Sequence, residues 1–121
     1  MAISKIMVVD DSTADLTNIQ KIISDAGYSV ITAASGAEAL DKAKAQKPDL
    51  IFLDVVMDNV DGYEVCRELN KNVDTKDIPV VFVTSKNQKA DKVWAELQGG
   101  KGLIGKPYTA DQIISQITAL S

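Results

Sequence analysis

Five polar residues in this chain have the types and positions that metal or phosphoryl chemistry needs. Asp10 and Asp11 directly follow one apolar run, and Asp54 directly follows another. Thr84 and Lys106 end two further apolar runs. Two unit charges about 4 Å apart repel by about 4 kcal/mol at an effective dielectric constant of roughly 20. If the three acids lie close together, they therefore favour a bound cation.

The oxygen-only character of this set predicts a particular cation and a particular reaction. Mg²⁺ prefers oxygen ligands, uses one or two carboxylates and keeps several waters. Lys106 adds a mobile positive charge and Thr84 adds a hydroxyl, and both can neutralise charge that builds on a transferring phosphoryl group. The carboxylate of Asp54 can itself act as the nucleophile and form an aspartyl phosphate.

The residues between these positions predict a regular alternation of strands and helices. Apolar runs predict five strands, at 5–9, 29–33, 50–53, 79–83 and 103–104. Helical spacing of apolar residues predicts five helices, which begin after 12, 35, 62, 89 and 109. Strict alternation of this kind implies a parallel sheet with helices on both faces. We therefore predict a single α/β domain over residues 1–121, a flavodoxin-like doubly wound (βα)5 fold with strand order 2-1-3-4-5.

This strand order would bring the polar residues together. The run Leu50–Leu53 is apolar without interruption, as expected of a central strand buried on both faces. In open parallel sheets, ligands bind at the carboxyl ends of the strands, where the strand order reverses. The first and third strands would be neighbours at that point, and the second strand, ending in Ala33 and Ala34, would offer no polar group. We expect one crevice lined by Asp10, Asp11, Asp54, Thr84 and Lys106.

Composition excludes several other kinds of protein and site. The chain has 121 residues, 45% hydrophobic and 25% charged, which is typical of a globular domain. A net charge of −4 without a Lys/Arg cluster argues against nucleic acid as a partner, and no apolar run approaches the roughly 20 residues of a membrane span. With no histidine, Ser-His and Cys-His pairs and histidine metal sites are excluded. The lone Cys66 is interpreted as a core residue, and with no signal-peptide layout at the N-terminus we expect a cytoplasmic protein.

Three local motifs, a helix-capping signal and two glycine patterns, are interpreted as structural features and not as binding sites. Ser12 predicts the N-cap of the first helix, and Asp15, three residues later, is interpreted as a capping-box acid. The stretch from Gly100 to Lys106 fits both G-x-G-x-x-G and G-x-x-x-x-G-K. We reject a nucleotide-binding loop because Pro107 replaces the Ser/Thr that would hold Mg²⁺, and because the match contains a strand instead of following one.

The combination Asp10-Asp11, Asp54, Thr84-Ser85 and Lys106-Pro107, placed in a fivefold strand-helix alternation, resembles the receiver domain of two-component response regulators. The resemblance covers essentially the whole chain. The segment from Asp91 to Gly99 looks most like PilH-type regulators of the chemosensory systems behind twitching motility.

This resemblance implies a role for each matching residue. Asp54 would accept phosphate from the phosphohistidine of a CheA-like histidine kinase. Asp11 and Asp54 would bind Mg²⁺ with the backbone carbonyl of Val56, and Asp10 would act mainly through a metal-bound water. Thr84 would hydrogen-bond the phosphoryl group, Lys106 would pair with it, and the bond to Pro107 would be cis.

The resemblance also implies how the chain would signal. It would be a switch that catalyses its own phosphorylation and dephosphorylation and not a dedicated enzyme. Without an output domain of its own, it would act through an effector that binds the face formed by helix 4, strand 5 and helix 5, or by draining phosphate from a shared kinase. The alternative is a docking module that keeps the fold and signals without phosphate.

The sequence departs from the family pattern near the expected site. Met57 is followed by Asp58 where the family often has proline, and Leu103 replaces the aromatic residue three positions before the lysine. Val56 and Lys86 would lie beside the acceptor where water enters, and the apolar Val56 is expected to slow hydrolysis.

The fourth predicted helix has apolar residues at helical spacing. Ala90, Val93 and Leu97 are expected to form its inward stripe. Trp94 has two interpretations: a core residue, or a partly exposed partner anchor at the edge of the stripe, near Leu103 and Tyr108.

Overall fold

The computed structural model describes residues 3–57, 60–85 and 88–121. The helices are α1 (Thr13–Asp25), α2 (Gly36–Gln46), α3 (Gly62–Lys71), α4 (Lys89–Leu97) and α5 (Ala110–Leu120). The strands are β1 (Lys5–Val9), β2 (Ser29–Ala33), β3 (Leu50–Leu53), β4 (Val56–Met57), β5 (Val60–Asp61), β6 (Val80–Thr84) and β7 (Gly102–Gly105). Within the described ranges, no helix is long and apolar enough to cross a bilayer.

Five of these strands form one parallel sheet in the order β2-β1-β3-β6-β7. Numbered without the small β4–β5 pair, this is the predicted order 2-1-3-4-5, and the flavodoxin-like α/β fold is confirmed. β3 lies in the centre with all four side chains buried, as its uninterrupted apolar run predicts.

The helices cover both faces of the sheet. One core cluster combines buried residues of α2, α3 and α4 with the sheet, and a second combines those of α1 and α5 with the sheet. Phe82 of β6 is fully buried in the first cluster and Phe52 of β3 in the second. Cys66 is buried, and burial raises the pKa of its thiol to about 11, which confirms its interpretation as a core residue.

The segment after Asp54, predicted as a loop, contains a short antiparallel pair. Val56 is paired with Asp61, and Met57 with Val60. Because Met57 is buried, its backbone polar groups need partners, and strand pairing supplies them. The departure at Asp58 falls outside the described residues, as does Lys86.

α4 faces the core differently from the prediction. Val93 and Leu97 were expected to point inward but are 52% and 70% exposed, and Ala90 is exposed as well. The buried residue of this helix is Ala95. The backbone at Gly100, just after the helix, lies so close to the ring of Phe82 that an added Cβ would come within 2.6 Å of it. Such a close approach admits only small groups, so the larger apolar side chains point to solvent.

Candidate functional site

Asp54 lies at the carboxyl end of the central strand. Its N–H donates to the carbonyl of Val9 at 3.0 Å, which continues the parallel ladder between β3 and β1. Its side chain is 8% exposed, and one carboxylate oxygen accepts the N–H of Val56 at 3.3 Å. The acceptor predicted from sequence is therefore a nearly buried carboxylate held on a rigid strand end.

Two more acids follow β1, the neighbouring strand. Asp10 is buried, and its Oδ1 accepts the N–H of Ser12 at 2.9 Å, whereas Asp11 is exposed. Carboxylate oxygens from Asp10, Asp11 and Asp54 all lie within 4.8 Å of one another. The predicted convergence of the three acids is thus present in the structure.

Lys106 reaches the acids from the other side. Its backbone N–H donates to the carbonyl of Thr84 at 2.8 Å, which joins the ends of β7 and β6. Its Nζ lies 2.8 Å from Oδ2 of Asp10 and 3.5 Å from Oδ2 of Asp54. Thr84 is fully buried at the end of β6, and the Lys106-Pro107 peptide bond is cis, as the resemblance implied.

A fourth acid, which the sequence interpretation assigned to capping, also belongs to this cluster. Ser12 caps α1 through its hydroxyl, as predicted, by accepting the N–H of Asp15 at 3.3 Å. The carboxylate of Asp15 does not complete a capping box, because the N–H of Ser12 donates to Asp10 instead. Asp15 Oδ2 pairs with Lys106 Nζ at 3.0 Å. Its place four residues after Asp11, on the first turn of a helix that begins beside the site, was the available sequence signal.

Burial and neighbouring charges shift the pKa values of Asp54 and Lys106. Burial, and after it the negative charge of the neighbouring Asp10, raise the pKa of Asp54 to about 6, although Lys106 and the Val56 N–H oppose the shift. Burial alone would lower the pKa of the Lys106 ammonium, but hydrogen bonds to Asp10 and Asp15 raise it. At neutral pH the site therefore holds an ionised acceptor and a charged lysine.

The donor set fits a hard divalent cation. Three carboxylates pair with one ammonium and the carboxylate of Asp11 lies beside two of them, so the cluster has an excess of negative charge. Mg²⁺ takes one or two carboxylates and retains waters, and the exposed side chain of Asp11 leaves room for those waters. Asp10, Asp11 and Asp54 are the residues that could hold it. The N–H of Val56 donates a hydrogen bond to the Asp54 carboxylate, so the backbone of Val56 also lies beside the acceptor.

The three residues suggested as a partner surface lie in different surroundings. Trp94 is 49% exposed and packs edge-on against Tyr63 of α3, with ring centroids 6.3 Å apart. Leu103 packs against the core cluster of α2, α3 and α4, whereas Tyr108 packs against that of α1 and α5. Trp94 is partly exposed, and its role as a partner anchor stays a prediction. It packs against Tyr63, and Leu103 and Tyr108 lie on opposite faces of the sheet.

Comparison with known proteins gives the same family throughout. A family model described as the response regulator receiver domain matches residues 6–118. Protein PilH of Pseudomonas aeruginosa is 32% identical over 117 residues, which are 97% of each chain. The transcriptional regulatory protein PhoP of Bacillus subtilis is 38% identical over 96% of this chain, which spans 48% of that protein.

A solved structure supports the match. The chemotaxis protein CheY4 of Vibrio cholerae superposes with a TM-score of 0.92 at 29% identity, covering 99% of this chain and all of that one. The fold, the acid cluster and the family model agree with one another. The chain belongs to the family of response regulator receiver domains.

Proposed function

We propose that this chain is a phosphorylation switch whose acceptor is Asp54. The observation that carries the proposal is the convergence of Asp10, Asp11 and Lys106 on a nearly buried carboxylate at the carboxyl edge of the sheet. The pKa of Asp54, raised to about 6, leaves the carboxylate ionised at neutral pH and ready to act as a nucleophile.

Transfer of the phosphoryl group from a phosphohistidine to Asp54 needs no other reactant apart from a proton from solvent. An oxygen of Asp54 attacks the phosphorus of a phosphohistidine, the new O–P bond forms and the P–N bond breaks. The electron pair of the broken bond goes to the imidazole nitrogen, which takes a proton from solvent. Since these 121 residues contain no histidine, the donor histidine is not one of them.

The other residues stabilise the transferred group. Lys106 already lies 3.5 Å from Asp54 and pairs with the phosphoryl oxygens, while the hydroxyl of Thr84 donates to one of them. Asp11 and Asp54 would hold Mg²⁺, which would neutralise part of the negative charge on the phosphoryl oxygens. In the separate dephosphorylation step, water attacks the phosphorus and loses a proton to solvent. The bond between the Asp54 oxygen and phosphorus breaks, its electron pair stays on the regenerated carboxylate, and inorganic phosphate leaves.

The donor that we propose is a CheA-like histidine kinase of a chemosensory system. The support is the identity to PilH over nearly the full length of both chains, together with the resemblance to PilH-type regulators of twitching motility. The test is phosphotransfer from a purified chemosensory kinase compared with transfer from an unrelated sensor kinase.

We propose that the effector binds along α4, β7 and α5. A surface groove of about 490 Å³ follows this edge of the sheet, and Lys92, Leu103 and Gln116 are among the residues that line it. The outward apolar side chains of Val93 and Leu97 extend the apolar surface of α4. Trp94→Ala tests this assignment, because an unchanged partner affinity in a folded variant would remove Trp94 from the interface.

The decisive experiment is intact-mass measurement after incubation with a small acyl phosphate, with and without Mg²⁺. We expect the wild-type protein to gain a labile phosphoryl group only with Mg²⁺, and Asp54→Asn to gain none. Asp61→Asn is the matched control, since it makes the same change near the acceptor and keeps an N-cap at α3. If the wild-type protein gains nothing, and beryllofluoride with Mg²⁺ also leaves the fluorescence of Trp94 unchanged, the proposed switch is overturned in favour of a docking module that does not use phosphate.

A further inference from the structure

The side chain of Lys106 is shared among three carboxylates, and the acceptor is the most distant. Its Nζ lies 2.8 Å from Asp10, 3.0 Å from Asp15 and 3.5 Å from Asp54. An ammonium has three N–H donors, so these three contacts use all of them. A phosphoryl group on Asp54 can therefore engage the lysine fully only if another contact lengthens or breaks.

Asp15 is the contact that can be released most easily. Its side chain is 44% exposed, whereas that of Asp10 is 7% exposed and also accepts the N–H of Ser12. Water can solvate an exposed carboxylate once its partner leaves, but a buried one would lose its compensation. A surface cavity of about 330 Å³, lined in part by Asp15 and Lys106, provides space for this rearrangement.

We propose that Asp15 is a positioning residue that draws the Lys106 ammonium toward itself in the unmodified protein, which keeps the contact with Asp54 the longest of the three, and releases it when Asp54 is phosphorylated. The inference rests on the proposed function. Asp15 therefore competes with the phosphoryl group for one cation and lowers the phosphorylated fraction at a given donor concentration.

A second contact keeps the same two segments together. Nδ2 of Asn18, one helical turn after Asp15, donates to the hydroxyl of Tyr108 at 3.3 Å. Tyr108 follows Lys106 by two residues, so α1 is joined to the β7–α5 loop independently of the ion pair. Neutralising Asp15 should therefore free the lysine without detaching the loop.

The test compares phosphorylation of four proteins by phosphoramidate in Mg²⁺, with the ratio of phosphorylated to unmodified protein measured by intact mass. We expect Asp15→Asn to raise this ratio about fivefold, the effect of losing a partly exposed ion pair. Asp15→Glu, which keeps the charge, should restore a ratio close to that of the wild-type protein. Asp25→Asn removes an exposed acid of the same helix, paired only with Lys21 among the contacts described, and should change nothing.

A mutant cycle separates the role of Lys106 from a general charge effect. In a Lys106→Met background, Asp15→Asn should no longer raise the ratio. An equal gain in that background would show that Asp15 acts directly on the acceptor, and this would overturn the proposal. Equal ratios for Asp15→Asn and the wild-type protein would also overturn it.

A spectroscopic measurement separates this proposal from the proposed function. In ¹⁵N-lysine NMR of the unmodified protein, the Nζ signal of Lys106 should shift in Asp15→Asn and not in Asp25→Asn. If the wild-type protein is never phosphorylated but this shift occurs, the ion pair is real while the proposed function and its competition with phosphate both fail. If the protein is phosphorylated but the shift is absent, only the role of Asp15 is overturned.

Discussion

Gly62 lies directly against the backbone of Asp54. A Cβ added to Gly62 would collide with the carbonyl oxygen of Asp54 and lie 2.8 Å from the Cα of Val55. The N–H of Gly62 also donates to the carbonyl of Val55 at 2.8 Å. The first residue of α3 and the acceptor thus share a space that only glycine can occupy.

Gly62→Ala should therefore distort the acceptor backbone. We expect a loss of about 3 kcal/mol in the free energy of unfolding, as for other overpacked core positions, and weaker Mg²⁺ binding. Gly27→Ala is the control, because Gly27 has a φ of +97° but open space around it. That variant should lose about 1 kcal/mol and bind Mg²⁺ normally. Urea unfolding and Mg²⁺ titration measure both quantities.

The raised pKa of Asp54 predicts a pH-dependent gain in stability when the residue is neutralised. The pKa of Asp54 is about 6 in the folded protein, against an ordinary value of 3.8, so the folded state holds the proton of this carboxyl more tightly than the unfolded chain does. The stability that the bound proton contributes is complete below pH 3.8 and is lost as the pH rises through about 6. Asp54→Asn should raise the free energy of unfolding at neutral pH by about 3 kcal/mol in Mg²⁺-free buffer. The gain should disappear near pH 4 (about the ordinary pKa) in urea titrations across the range, and a constant gain would contradict the assignment.

Mg²⁺ should stabilise the folded protein through its acid cluster. Binding to the folded state alone adds about 2.7 kcal/mol once free Mg²⁺ exceeds its dissociation constant about a hundredfold. Asp11→Asn should lose most of this gain, whereas Asp25→Asn should keep it. Thermal unfolding in a Mg²⁺ series, reversed by a chelator, distinguishes the two variants, and an equal gain in both would place the ion elsewhere.

The hydroxyl of Tyr63 is buried without a hydrogen-bond partner among the residues that the structure describes. Tyr63→Phe should therefore stabilise the fold by about 1 kcal/mol, because it removes an uncompensated polar group and keeps the ring contacts with Phe82 and Trp94. Tyr108→Phe removes a hydroxyl that accepts from Asn18 and should not stabilise. Chemical unfolding of both variants provides the comparison.

The side chain of Val56 is exposed beside the acceptor, at 52%. An apolar group there cannot orient a water molecule toward a phosphoryl group on Asp54. Val56→Asn should therefore speed the loss of phosphate severalfold, since an amide can hydrogen-bond the incoming water. The decay of the phosphorylated protein, followed by intact mass, gives the rate. A wild-type rate equal to that of the variant would show that Val56 does not limit hydrolysis.

The acid cluster could be predicted from sequence because parallel strands fix where their ends lie. Once the alternation of elements gave the strand order, Asp10 and Asp54 had to emerge side by side, and Lys106 followed from the last strand. Asp15 could not be predicted in the same way. Its place on the first turn of α1 indicates that it lies near the site, but its pairing with Lys106, 91 residues away, depends on the direction of a helical side chain relative to a loop.

The orientation of α4 shows a second limit. Periodicity correctly grouped Val93 and Leu97 on one side of the helix, but it does not say whether that side faces the core. The answer depended on how closely the backbone near Gly100 approaches Phe82. A small residue, Ala95, was therefore the one that could fit beneath the helix.

The small buried area of α4 affects how easily this helix separates from the core. α3 buries the large side chains of Tyr63 and Leu69, whereas α4 buries a single methyl group at Ala95. Because the burial of apolar area contributes roughly 25 cal/mol per Å², detaching α4 costs less than detaching α3. We expect its amide protons to exchange with solvent through local opening well before those of α3. A small change in free energy at the end of β6, where Thr84 lies in the site, is then enough to change the populations of the conformations of α4.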